Sequence, residues 1–218
     1  MKDAEDLTIA EAMCSHLCHE LISPVTAVNN GLELMGDGNG DPGVGGEALE
    51  LLRHSAAEAS RRLQFYRLAY GLATGFDGDP GFATVRSLAE ALLAGSKVRL
   101  EWGEGMNDFA RRVGRRCAKL ALNMIALGRD ALPRGGVLTI RLTGEAARST
   151  LAVAASGPGA VLKEDVRAAV AAEPEAIGPR TVQAYLASRQ ARGLGSALAL
   201  DLSVPDRVLM TAVVDPAR

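Results

Sequence analysis

The sequence predicts an α+β chain: an N-terminal helical hairpin that pairs with a second copy into a dimeric four-helix bundle, followed by an α/β sandwich. Three observations predict it. Two long segments repeat apolar residues at steps of three and four. Glycine- and proline-rich stretches at 36–46 and 71–81 interrupt the chain. Beyond residue 82 the texture changes to short alternating strands interleaved with helices.

The first helix is expected from about Leu7 to Met35, with its seam at Leu17, Leu21, Val25, Val28, Leu32 and Met35. GDGNGDPGVGG (36–46) reads as a helix stop and loop. A second helix follows from about Glu47 to Tyr70, with Leu49, Leu52, Ala56, Ala59, Leu63, Tyr66 and Tyr70 in a similar seam. One hairpin cannot bury seams this long, whereas two can, so the pattern itself points to a homodimer. The linker at 71–81 divides a helical unit, 1–75, from a mixed unit, 82–218. In the latter, helices are expected near Thr84–Ala94, Asp108–Ala131, Lys163–Ala171 and Pro179–Arg192. Strands are expected at Lys97–Glu101, Gly136–Thr143 and Ser149–Ala155, with a closing hairpin of Ser196–Ser203 and Val208–Val214.

Composition narrows the class. Of 218 residues 48% are hydrophobic and 23% charged, as in a globular protein, and the net charge of −2 supplies no basic field for nucleic acid. Apolar runs fall short of a membrane span, and the acidic N-terminus is unlike a signal peptide. Three cysteines make no disulfide framework, so a cytoplasmic protein with reduced thiols is the expectation.

His19, in CHELISPV, is expected to point roughly 160–220° away from Leu17, Leu21, Val28 and Leu32, and so into solvent. Ala12, Ser15, His16, Ser23, Thr26 and Asn30 share its stripe, and being small or polar they would let another protein approach. An accessible imidazole is a competent nucleophile near neutral pH. Glu20 is expected to hold one ring nitrogen and orient the other. Pro24 is expected to bend the helix one turn past His19.

The hexapeptide His19-Glu20-Leu21-Ile22-Ser23-Pro24 resembles the H-box of histidine-kinase dimerisation domains, in which the histidine carries the phosphoryl group. LCHELISPVTAVNNGLELM, with SRRLQFYRLAYG in the second helix, is similar to the ChpT family of histidine phosphotransferases. That resemblance implies a dimeric bundle displaying the histidine, followed by a degenerate histidine-kinase ATPase-like domain. It also implies partners: the receiver domain of a hybrid histidine kinase, and downstream response regulators. Any Mg²⁺ would come from the receiver.

LALNMIALGRDALPRGG (120–136) is similar to the kinase helix in which two asparagines serve nucleotide and Mg²⁺. Asn123 matches the first, but Leu127 stands at the second and offers a hard cation no oxygen. Ala155-Ser156-Gly157-Pro158-Gly159 looks like the following glycine box, with Ala155 where an aspartate would read adenine, although a plain turn explains the segment equally. Gly193-Leu194-Gly195 follows a helix instead of opening one, which favours a helix stop. No nucleotide or metal ligand set is therefore expected, and no cofactor of the chain's own. The alternatives are a pseudokinase-like dimer that only binds response regulators, and an ATP-dependent kinase fragment. Cys14, His16, Cys18 and His19 could suggest zinc, but on a helix they splay apart, so buried small side chains explain the cysteines better. The arginines of RRLQFYR are expected to ring the docking surface.

Overall fold

The computed structural model describes residues 2–37, 42–71, 81–103, 106, 114–145, 148–171 and 174–215. Helices α1 (Lys2–Asp37) and α2 (Pro42–Tyr70) form the antiparallel hairpin. Both are longer than the periodicity predicts. α2 begins at Pro42, five residues before the expected Glu47, because a proline in the first turn has a preset φ and no N–H to leave unpaired. The helices touch closely at Gly31, where a Cβ would sit 2.8 Å from Leu52 Cγ.

The remainder runs α3 (Phe82–Leu93), β1 (Val98–Trp102), α4 (Arg115–Asp130), β2 (Gly136–Glu145), β3 (Arg148–Ser156), α5 (Glu164–Val170), a 3-10 turn (Pro174–Ala176), α6 (Val182–Gly193), β4 (Ala199–Asp201) and β5 (Arg207–Val214). The five strands order β1-β2-β3-β5-β4, with β1 parallel to β2 and the other pairs antiparallel. Residues 107–113, the start of the expected Asp108–Ala131 helix, and 72–80, most of the expected linker, lie outside the described residues.

Alternation along β3 and β5 buries Leu151, Val153, Ala155, Val208, Met210 and Ala212 on the side where α4 packs. α4 itself is buried from Cys117 to Gly128 apart from Lys119, so it is the central helix. Gly157 lets the end of β3 pass the start of β2: a Cβ there would lie 2.5 Å from the Gly135 carbonyl oxygen. The core does not stop at the hairpin. Phe65, Tyr66, Leu68 and Ala69 of α2 belong to the same buried cluster as α4 and the sheet.

Candidate functional site

α1 continues unbroken through Pro24, which has no N–H to give the Glu20 carbonyl one turn earlier. The structure fills that vacancy from the other helix. Arg62 Nη1 donates to Glu20 O at 2.6 Å, while Nη2 bonds the Glu58 carboxylate. Arg62 also lies 3.8 Å from the Glu20 carboxylate, which Arg129 of α4 approaches to 3.5 Å. Burial pushes the Glu20 carboxyl up, but the Arg129 guanidinium, the neighbouring Tyr66 hydroxyl and the Arg62 guanidinium together outweigh it and hold the group below its ordinary value. The residue following His19 is thus ionised and bolted to both α2 and α4.

His19 itself is exposed, and among the described residues its ring makes no hydrogen bond or ion pair. Glu20 reaches Arg62 and Arg129 and not the imidazole, so the expected orienting bond is absent from this arrangement. Ser23, Thr26 and Asn30 are exposed beside His19 as expected, and Ser15 is half-buried.

Ala12 and His16 correct the expected stripe: both are buried, at 6% and 8% exposure. Their face of α1 turns towards α6 and its approach. Glu5 accepts from Arg189 at 2.7 Å and from the Tyr185 hydroxyl, and His16 Nδ1 lies 2.9 Å from Pro179 O. Since a carbonyl only accepts, Nδ1 carries the proton. The His16 ring meets Tyr66 edge-on at 5.4 Å. Periodicity within the hairpin could not reveal this cover, because the covering chain lies about 160 residues further on.

A cleft of about 470 Å³ opens between α1 and the C-terminal half. His16, His19 and Glu20 form one wall; Leu127 and Asp130 of α4 and Gln183 of α6 stand opposite, with Lys163 and Arg180 adding positive charge. Leu127 therefore lines the cleft as an apolar group. Ala155 is fully buried in β3. Asn123 is also fully buried, and its amide bonds Ala69 O, Lys119 O and Gln190 Oε1 instead of opening on the cleft. Gly195 has φ of 77° in the turn closing α6, as a helix stop requires.

Cys14 and Cys18 are exposed, which corrects the expectation that they are buried. Among the described residues no group of three His, Cys, Asp or Glu side chains is close enough to hold a metal ion. No described helix is long and apolar enough to cross a membrane. Arg62, within the arginine-rich stretch expected to ring a docking surface, is turned to Glu20 and Glu58. Arg129 was not singled out from the sequence; its only signal is an arginine closing the largely apolar run LALNMIALG.

Residues 82–204, more than half of the chain, match the family described as histidine phosphotransferase C-terminal domain. The chain is similar to the protein phosphotransferase ChpT of Brucella abortus (strain 2308), with 40% identity over 140 residues. That alignment takes in 63% of this chain and 62% of the relative, so less than two thirds of the relative's length is matched. Among solved structures, that of a bacterial phosphotransferase at 1.7 Å resembles it with a TM-score of 0.78 and 27% identity, covering 94% of this chain and 96% of the other.

Proposed function

Because the chain belongs to the histidine phosphotransferase family, we propose that it relays phosphoryl groups between receiver-domain aspartates of a bacterial phosphorelay through His19. The observation that carries this is an exposed imidazole, without a partner among the described residues, on the wall of a cleft and on a helix turn fixed from two sides. A His19 ring nitrogen attacks the phosphorus of a receiver's aspartyl phosphate. The P–N bond forms as the acyl P–O bond breaks and the aspartate leaves as a carboxylate; the second receiver's aspartate reverses the step. Little acid–base chemistry is needed, so placement does most of the catalysis. Ser23, Thr26 and Asn30 flank the ring as docking surface, with Ser15 at its edge. Ala12 and His16 support the helix from beneath. Glu20 acts by holding its turn of α1. The receiver brings the Mg²⁺. A receiver domain charged with labelled phosphate, incubated with the chain, tests the proposal: acid-labile label on the chain supports it, and none refutes it.

ATP plays no part in this reading. Leu127 and Ala155 replace the oxygen ligands that metal and adenine would need, and Asn123 is occupied. Millimolar ATP with Mg²⁺ should leave the melting temperature unchanged, since only binding to the native state raises it. A clear upward shift at a few millimolar would overturn this part of the proposal.

The hairpin is read as half of a homodimeric four-helix bundle. Ile22 (62%), Val25 (49%) and Leu32 (56%) on α1, and Leu49 (41%) and Leu63 (55%) on α2, are exposed apolar residues. Val25 and Leu32 stand seven apart, and so do Leu49, Ala56 and Leu63, which is the spacing of a helix–helix seam. A stable pair would bury about 1,200–2,000 Å². Light scattering at micromolar concentration should return twice the chain mass; a monomer would contradict it.

A further inference from the structure

The end of α2 leaves carbonyls without intrahelical partners, as every helix end does. Side chains from the other half of the molecule take them up. Asn123 Nδ2 of α4 lies 3.2 Å from Ala69 O, Gln190 Nε2 of α6 lies 3.3 Å from the same oxygen, and Lys119 Nζ bonds Gly71 O. Asn123 and Gln190 are also joined to each other, Nδ2 to Oε1, at 3.1 Å. A positive charge and two amide donors thus meet the negative end of the α2 dipole. The same two helices carry the far wall of the cleft: Leu127 and Asp130 follow Asn123 on α4, and Gln183 precedes Gln190 on α6.

From this we infer that Asn123 and Gln190 are positioning residues for phosphotransfer: by capping α2 they fix α4 and α6 against the hairpin, and so set the cleft wall that a protein partner meets beside His19. The inference rests on the phosphoacceptor reading of His19. The side chain matched to a nucleotide-contacting asparagine is here a clamp between the two halves of the chain. A receiver must fit against both α1 and the opposite wall, so loosening the clamp weakens docking. A small phosphoryl donor needs only the exposed imidazole and is indifferent to the wall.

The experiment compares wild type, Asn123→Leu and Gln190→Leu in the full chain with two donors. One is phosphoramidate, whose P–N bond breaks with loss of ammonia as the bond to His19 forms. The other is the receiver domain of a hybrid histidine kinase from the same genome, charged with labelled acetyl phosphate. Phosphoramidate should label all three chains at the same rate. The receiver concentration giving half-maximal transfer should rise about five- to tenfold in each variant, the worth of one or two lost hydrogen bonds, with the rate at saturation unchanged. Gln190→Leu keeps the test alive if the buried Asn123→Leu fails to fold. Unchanged half-saturation with normal phosphoramidate labelling overturns the inference alone, as does an equal fall with both donors, which would mark general damage. Absence of label on wild-type His19 from either donor would sink the phosphoacceptor reading and this inference with it.

Discussion

Replacing His19 by alanine is expected to lower phosphoryl transfer from a charged receiver by at least about a thousandfold, the scale on which loss of an attacking group is felt. Stability should barely move. The ring is exposed and makes no described bond, so the change belongs with surface substitutions, worth about 0.5 kcal/mol or less. In a chain of this size that is a shift of at most about 1–2 °C in melting temperature. Labelled receiver mixed with wild type and His19→Ala, beside thermal melts of both, separates chemistry from folding. Equal labelling of the two proteins would show that another residue accepts the group.

The second large effect belongs to Arg62. Arg62→Met removes the donor that replaces Pro24's missing N–H and leaves the Glu20 carbonyl without its partner. It also takes one of two cations from the Glu20 carboxylate. An orphaned, part-buried acceptor costs about 1–3 kcal/mol, and the total loss should be about 2–3 kcal/mol by denaturant titration. The cause is separable from the loss of charge. In a Pro24→Ala background residue 24 regains an N–H, so Arg62→Met should cost about 1 kcal/mol less there. Strict additivity in that cycle would show that Arg62 does not substitute for the missing backbone donor.

The relation between Arg62 and Pro24 shows where sequence reading stops. Pro24 declares in the sequence that a carbonyl four residues earlier lacks its donor. Which side chain answers depends on how α1 and α2 lie together, and no local pattern encodes that. His19 was legible because its angular position turns it away from the hairpin seam and no later described element covers it. That Leu127 and Ala155 carry no side-chain oxygen is plain from the residue type; that one lines the cleft and the other is buried in β3 is not. Ala12 and His16 were not legible, since they share the angular position of exposed residues and are covered by a face that includes α6 and the loop before it, far along the chain. Asn123 shows the intermediate case: its place in the pattern could be read, but its partners at Ala69 and Gln190 could not. The helices and strands were predicted to within a few residues except where α1 reaches back to Lys2 and α2 to Pro42, five residues early in each case, and in stretches outside the described residues.

Phe65, Tyr66, Leu68 and Ala69 sit in the hairpin by sequence and in the sheet's core by packing. Heat or denaturant acting on either half strips apolar cover from the other, so the two should melt together in a single cooperative transition. A hairpin excised after Tyr70 would carry Phe65 and Leu68 bare to water, a sticky fragment and a poor graft onto another scaffold. The helix that displays His19 is therefore not a detachable cassette. Substitutions deep in the β-sheet have a mechanical route to the histidine, and loss-of-function lesions will be scattered through the chain well beyond the helix that displays it.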